Sequence, residues 1–191
     1  MAAPMTREAG LDPDVALDSA WSCFVRGLND RRSPFHAPTL ATVDSTGGPK
    51  LRTVVLRIAD RDTRRLGCHT RADAGKVAEI RQQPQVAWHV YDRKAKLQIV
   101  FHGRAEVHTT GPLADTRWEA TSSSGRACYE AQQTPGTPWQ EAEPSADGRS
   151  TFAVVTCVCD TIDWLFLHHA GHVRWRFSFT GEGWQSIHVA P

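Results

Sequence analysis

A mainly β (α+β) fold, an antiparallel barrel with helical additions, is what this sequence predicts. Three observations point to it. Short apolar runs with two-residue alternation recur along most of the chain. Turn signals rich in Gly, Pro, Asp and Ser separate them. Few helical segments lie between these runs, which argues against a parallel sheet built from strand–helix–strand units. The 191 residues suggest one domain, and a chain of this size can bury roughly 70% of the surface that its unfolded form exposes.

The elements follow in order. Residues 1 to 11 are small and polar and predict a disordered tail, leaving 12 to 191 as a single domain. Asp12 before Pro13 reads as a helix N-cap with proline in the first turn, and Leu17, Trp21, Phe24 and Leu28 then recur at helical spacing. Asn29-Asp30 and Ser33-Pro34 end that helix. Thr39 to Val43 reads as a strand, Asp44 to Pro49 as a turn and Leu51 to Ile58 as the return strand of a hairpin. Arg65 to Thr70 is a third strand. A helix over Ala74 to Gln82 is closed by Pro84. Val86 to Tyr91 and Leu97 to Val107 are two more strands, and Gly103 predicts a bulge or a close backbone approach.

Leu113 to Ala120 and Arg126 to Gln132 read as helices, with Ser122-Ser123-Ser124-Gly125 as a breaking loop between them. Thr134 to Arg149 reads as a long loop, a length more typical of functional lids or disordered segments than of plain connectors. Thr151 to Val158, Ile162 to His168, Val173 to Phe179 and Trp184 to Val189 supply the last strands.

Composition excludes several function classes. Lys+Arg 22 against Asp+Glu 21 leaves a net charge of +1, which provides no footprint for nonspecific nucleic-acid binding. The 5 cysteines are odd in number, and the chain is not small, so a disulfide framework is not expected. Cys157 and Cys159 lack a second pair to complete a zinc site and read as same-face strand residues. His168, His169 and His172 lack a completing ligand set, and adjacent strand histidines are expected to point apart; no metal is predicted. Met1 to Gly10 has no apolar signal-peptide core, and no apolar run approaches the roughly 20 residues of a membrane span. The expectation is a cytoplasmic protein without membrane or nucleic-acid partners.

Several residues carry chemistry. Lys76 stands in the first turn of a helix if Asp73 is the N-cap, where a cation opposes the helix dipole unless an anion binds the exposed N–H groups. A solvated lysine offset by Asp73 is the alternative. Arg52 and Arg57 have opposite parity on one strand and so face opposite sides; on an apolar strand each needs a carboxylate, a ligand or a strand end. Gln98 is an amide within an apolar strand and needs partners, either a backbone carbonyl or a ligand with donor and acceptor edges. Arg174 and Arg176 share a strand face and could meet an anion or cover a hydrophilic surface. No serine elbow, P-loop or dinucleotide glycine fingerprint is present.

In order and spacing, these segments resemble the pyridoxamine 5′-phosphate oxidase family. The matching pieces are Leu40 to Asp44, Arg52-Thr53-Val54-Val55-Leu56-Arg57, His69-Thr70 with Lys76, Pro84 to Trp88, and Leu97-Gln98 before Gly103-Arg104-Ala105-Glu106. Arg176-Phe177, Trp184 and the final Val189-Ala190-Pro191 follow more loosely. The resemblance implies a six-stranded FMN-binding split β-barrel and a homodimer with FMN at the subunit interface. It places Arg52 to Arg57 along the FMN, His69 and Thr70 near its ribityl-phosphate end, and Lys76 on the phosphate. Gln98, from either subunit, would reach the ring or ribityl, and Arg176 and Trp164 would close the site.

Departures from the family pattern carry implications too. Ala74 and Gly75 stand where a serine and an arginine usually precede the lysine, so Arg71 would supply the lost charge. His172-Val173-Arg174 replaces an Arg-Leu-His run that handles the vitamin B6 phosphate, and Arg126 and Tyr129, with Arg57, are stand-ins on the substrate side. The implied activity is an FMN-dependent oxidoreductase, with pyridoxamine or pyridoxine 5′-phosphate oxidised to pyridoxal 5′-phosphate as the nearest reaction. The alternatives are a flavin or nicotinamide-dependent reductase, or a flavin- or haem-binding module without turnover. No residue is nominated as catalytic.

Overall fold

The structure is a computed structural model, described over residues 5–130, 133–139 and 147–191. Its centre is an antiparallel sheet of nine strands among those residues: β1 (Thr39–Val43), β2 (Pro49–Thr53), β3 (Leu56–Asp60), β4 (Arg65–Arg71), β5 (Gln85–Asp92), β6 (Leu97–His108), β7 (Phe152–Phe166), β8 (Val173–Phe179) and β9 (Trp184–Val189). The helices are α1 (Arg7–Gly10), α2 (Pro13–Asn29), α3 (Gly75–Gln82), α4 (Pro112–Glu119) and α5 (Ser123–Arg126).

The strand order is β2-β1-β5-β6-β7-β4-β3, with β8 and β9 branching from β7. The two ends of that path are consecutive in sequence and joined only by Val54 and Val55. Thr53 and Leu56 can stand at most about 11 Å apart, so the sheet must curl until its edges meet. The predicted barrel class is therefore correct, although the sheet has nine strands where six were expected.

The split follows from β7. From Val154 to Phe166 it pairs with β6, skipping Asp160. Its first half also pairs with β4, from Phe152↔Arg71 to Val158↔Arg65, and its second half with β8, from Thr161↔Ser178 to Phe166↔Val173. The register on β6 shifts between His102 and Gly103, opposite this changeover. A Cβ on Gly103 would lie 2.1 Å from the Val158 carbonyl oxygen, so the close approach expected there is real. The sequence suggested two strands, ending at Val158 and resuming at Ile162; pairing with β6 carries the backbone straight through.

The expected return strand from Leu51 to Ile58 is also corrected. It is β2 and β3, which pair with β1 and β4 respectively. Between them Val54 is buried, and its N–H donates to the Pro38 carbonyl at 2.9 Å. Arg52 and Arg57 therefore sit on different strands, and parity along a single strand does not describe them.

Local chemistry explains the helices. Asp12 caps α2 by accepting from Asp14 N at 2.9 Å. Trp21 and Phe24 of α2 each place their ring 4.7 Å from Phe101, closing one end of the barrel core. The expected tail is ordered from residue 5: Thr6 caps α1, Gly10 lies against the Trp164 ring, and Trp175 Nε1 donates to the Gly10 carbonyl at 2.9 Å. Residues 1–4 lie outside the described residues. The serine run is a helix start rather than a breaker, because Ser122 Oγ accepts from Gly125 N at 3.3 Å. The helix expected over Arg126 to Gln132 is instead the end of α5 and a 3-10 turn over Ala127–Tyr129; residues 131–132, and 140–146 of the expected long loop, lie outside the described residues.

Candidate functional site

A cavity of about 570 Å³ opens where the barrel edges meet, within the usual range of roughly 300–1,000 Å³ for small-molecule sites. The Thr53–Val55 crossover forms one wall. Arg57 of β3, His69 of β4 and Lys76 of α3 project from the barrel side. Arg117 of α4, the Ala120–Ser122 segment, Gly125, Cys128 and Tyr129 form the opposite wall, and Arg31 enters from the turn after α2.

Two devices aim the barrel residues. The β3–β4 register skips from Leu56↔Cys68 to Ile58↔Gly67, so Arg57 is the extra residue of a bulge. Bulges of this kind re-aim side chains next to functional sites. Lys76 lies in the first turn of α3, whose N-cap is Ala74 without a side-chain bond. Asp73 does not cap α3, because both its oxygens accept from Arg71, at 2.9 and 2.8 Å. Lys76 Nζ instead donates to Thr70 Oγ1 at 2.9 Å. Burial pulls the Lys76 pKa below its ordinary value, with Arg52 adding to the fall and Cys68 and Glu79 opposing it.

His69 is the orphan of the site. Its Nε2 is buried with no hydrogen-bond partner, and its ring meets Phe152 edge-on at 5.0 Å. Burial, then the charges of Arg57 and Arg117, push its pKa down to about 4. It is a neutral imidazole at pH 7, able to hydrogen-bond a ligand without adding charge. Burial raises the Tyr129 phenol to about 12 and the Cys68 thiol to about 12, so both stay protonated.

The His69 shift predicts a pH dependence. The folded pKa lies below the 6.5 of an unperturbed histidine, so neutral His69 favours folding most fully above about pH 6.5. That contribution is lost as the pH falls through about 4. We expect the wild-type melting temperature to drop more steeply between pH 6.5 and 4 than that of His69→Gln. NMR titration of the ligand-free protein should give an imidazole midpoint near 4; a midpoint near 6.5 would contradict the buried, cation-flanked placement.

The structure brings Thr53, Val54, Val55, Arg57, His69, Lys76 and Tyr129 together on one cavity. Thr70 stands behind it as the partner of Lys76. Other expected residues are engaged elsewhere. Arg52 pairs with Glu79 at 2.7 Å, with Thr42 bridging the two. Leu56 is in the core. Arg71 is clamped by Asp73 and cannot replace a missing phosphate ligand without breaking that pair. Arg126 donates to the Trp118 and Glu119 carbonyls and stacks over the Trp118 ring, closing the end of α4.

Gln98, Trp164, His172, Arg174 and Arg176 do not line this chain's cavity. Trp164 is fully buried, and its Nε1 donates to Ser19 Oγ at 2.9 Å. Arg174 forms a two-pronged pair with Asp163, and Arg176 approaches the same carboxylate at 4.0 Å. The rings of His168 and His169, expected to point apart, lie 4.2 Å apart because β7 ends at Phe166. No cluster of three or more His, Cys, Asp or Glu that could hold a metal occurs among the described residues.

Sequence reasoning missed Arg31, Arg117, Ala120, Thr121, Ser122, Gly125 and Cys128. Arg31 sits in an unpatterned Asp-Arg-Arg turn, and Arg117 is one arginine on a short helix; nothing local distinguishes either from a surface cation. Arg31, Arg57, Lys76 and Arg117 line the cavity, and no aspartate or glutamate lines it among the described residues. None of the four makes an ion pair among the described residues. Such a cavity suits a ligand with anionic groups.

Residues 18–109 match the family model of the pyridoxamine 5'-phosphate oxidase, FMN-binding domain. A curated relative, pyridoxine/pyridoxamine 5'-phosphate oxidase 2 of Arabidopsis thaliana, is 26% identical over 172 residues, covering 80% of this chain and 85% of its own. Among solved structures, a pyridoxamine 5'-phosphate oxidase-related, FMN binding protein from Nostoc punctiforme superposes with a TM-score of 0.71 at 23% identity, covering 89% of this chain and 96% of that one. PhzG from Burkholderia lata 383, solved with tetrahydrophenazine-1-carboxylic acid, superposes with a TM-score of 0.74 at 19% identity, covering 98% of both chains. These two likenesses establish the fold.

Proposed function

We propose, from this chain's likeness to the pyridoxamine 5′-phosphate oxidase-like family, that it is an FMN-dependent oxidoreductase with its cofactor in the cavity at the barrel seam. The observation that carries this reading is the set of four cations around one small-molecule-sized cavity, none of them with a carboxylate partner among the described residues. The residues fit the group. A phosphate carrying about −1.5 to −2 charges needs paired cations, and Lys76, held by Thr70 and half-desolvated, supplies one. Arg57, turned out by its bulge, supplies a second. The orphaned His69 Nε2 is free to meet a polar edge of the ligand.

Bound FMN would supply hydride acceptance. This chain's residues bind and orient it: the Thr53–Val55 crossover forms a wall, neutral His69 adds a hydrogen bond, and α4 with the segment after it restricts water on the far side. The protein would act as a homodimer with FMN at the subunit interface. In that arrangement Gln98 and Arg176, remote from the cavity of their own chain, are available to the partner's site.

The nearest reaction is oxidation of pyridoxamine or pyridoxine 5′-phosphate to pyridoxal 5′-phosphate, with oxygen as final acceptor. The reading is tested by the absorption spectrum of the purified protein, mass spectrometry of the ligand it releases, and aerobic turnover of pyridoxamine 5′-phosphate with hydrogen peroxide measured. Flavin bands with peroxide support it. Peroxide absent from fully FMN-loaded protein rejects the oxidase and leaves a reductase on the same fold; a Soret band, or no chromophore after incubation with FMN, rejects the flavin assignment. No described helix is long and apolar enough to cross a membrane.

A further inference from the structure

We propose that Glu79 is a positioning residue for the cofactor phosphate: through Arg52 and Thr42 it fastens α3 to the β1–β2 hairpin and so sets where Lys76 stands in the cavity. The inference rests on the flavin reading above and adds to it a residue outside the cavity lining.

The helix that carries Lys76 is weakly anchored by its own chemistry. α3 has 8 residues, shorter than a helix that is stable by itself. Its N-cap Ala74 makes no side-chain bond among the described residues, and Val77 and Ile80 are its buried residues. Its place is therefore set by what its side chains reach. Lys76 and Glu79 are three residues apart and neighbours on the helix surface, yet they reach in different directions. Lys76 Nζ donates to Thr70 Oγ1 of β4 at 2.9 Å. Glu79 Oε2 accepts from Arg52 Nη2 of β2 at 2.7 Å and from Thr42 Oγ1 of β1. Thr42 Oγ1 in turn accepts from Arg52 Nη1, so the three residues close a ring of hydrogen bonds. β4 stands next to β3 near one end of the strand order, and β2 is the other end. α3 thus bridges the two sides of the seam, and Lys76 and Glu79 are its polar fastenings.

The Glu79 fastening reaches both walls of the phosphate end. Arg52 immediately precedes Thr53, where the crossover wall of the cavity begins, so its pair with Glu79 ties that wall to the helix of Lys76. Thr42 is buried, and Arg52 and Glu79 are half-buried. Ion pairs taken out of water add little net stability over apolar residues of similar volume; what this ring fixes is geometry, through charge-assisted bonds of defined direction. Arg52 and Glu79 act on the titration of Lys76 in opposite senses, which sets the pair beside the ammonium. Binding groups work when they are held within about 0.5 Å of their productive place, and Glu79 holds the backbone from which Lys76 extends.

The test measures FMN and riboflavin binding by flavin fluorescence, with folding followed by circular dichroism, for wild type, Glu79→Gln, Glu79→Ala, Lys76→Ala and each Glu79 variant combined with Lys76→Ala. Riboflavin lacks the phosphate and so reports on the rest of the site. The expected result is an FMN Kd raised about tenfold in Glu79→Ala and by less in Glu79→Gln, which keeps an oxygen for Arg52 and Thr42, with riboflavin binding unchanged within about twofold. On the Lys76→Ala background, either Glu79 substitution should cost less than about twofold more, because the residue it positions is gone. Equal weakening of FMN and riboflavin, or a cost that persists without Lys76, overturns the inference in favour of a general structural role. FMN affinity unchanged in both Glu79 variants also overturns it, as does tighter FMN binding, which would make Glu79 a residue that withholds Arg52 from the phosphate. Where Glu79→Ala does not fold, Glu79→Gln carries the same comparisons. Failure of the wild type to take up FMN is seen first and overturns the flavin reading instead.

Discussion

Lys76→Ala should lower FMN affinity by about tenfold to a hundredfold, the loss of roughly one charge-assisted hydrogen bond to a phosphate. Lys76 Nζ is already held by Thr70 Oγ1 at 2.9 Å, so little side-chain freedom remains to be lost on binding. It has no carboxylate partner to release among the described residues. Burial disfavours its charged form in the empty protein, and a bound phosphate would reverse that penalty. The melting temperature without FMN should hold or rise, because removing Lys76 relieves repulsion among the cavity cations. Fluorescence titration of FMN against both proteins measures the ratio; an unchanged Kd would remove Lys76 from the phosphate site. Thr70→Val should weaken binding in the same direction and by less, since it leaves the charge in place and frees its position.

Trp164→Ala should do the opposite: lower unfolding free energy by about 3–5 kcal/mol, the range for deleting a fully buried large aromatic, and leave FMN affinity of the folded protein nearly unchanged. Trp164 is fully buried at the junction of β7 and α2, bonded to Ser19 Oγ. Its ring is also the surface on which Gly10 of the N-terminal turn rests. The substitution therefore opens a cavity, removes the indole partner of Ser19 and loosens α1. Chemical denaturation and FMN titration of the same variant separate the two roles. A weakened Kd at unchanged stability would restore Trp164 to the flavin site, where the family resemblance had placed it.

The contrast between these residues shows what kinds of position are legible in a sequence. Lys76 lines the cavity, and its signal in the sequence is local: a basic residue in the first turn of a helix, just after His69 and Thr70. Trp164, which the resemblance places at the site, lies in the core of this chain with its Nε1 bonded to Ser19 Oγ, a placement that depends on α2 packing over β7 and is not written near Trp164 in the sequence. Arg57 lines the same cavity, but the bulge that turns it there exists only in the pairing of β3 with β4. Arg52 looked equivalent to Arg57, and Glu79, 27 residues away, takes its charge.

The strand and turn periodicity, the Asp12 cap, the close approach at Gly103 and the order of the cofactor-side segments were determined by the sequence alone, because each depends on neighbours within a few residues or on a linear pattern. The closing of β2 and β3 across Val54 and Val55, the fork of β7 between β4 and β8, and the convergence of Arg31 and Arg117 on Lys76 were decided only by the tertiary structure. Those are pairings between distant segments, selected by which curled sheet buries the apolar faces and satisfies the backbone. Charge enters the cavity from four separate elements, and no stretch of sequence contains more than one of those cations in a pattern that marks it.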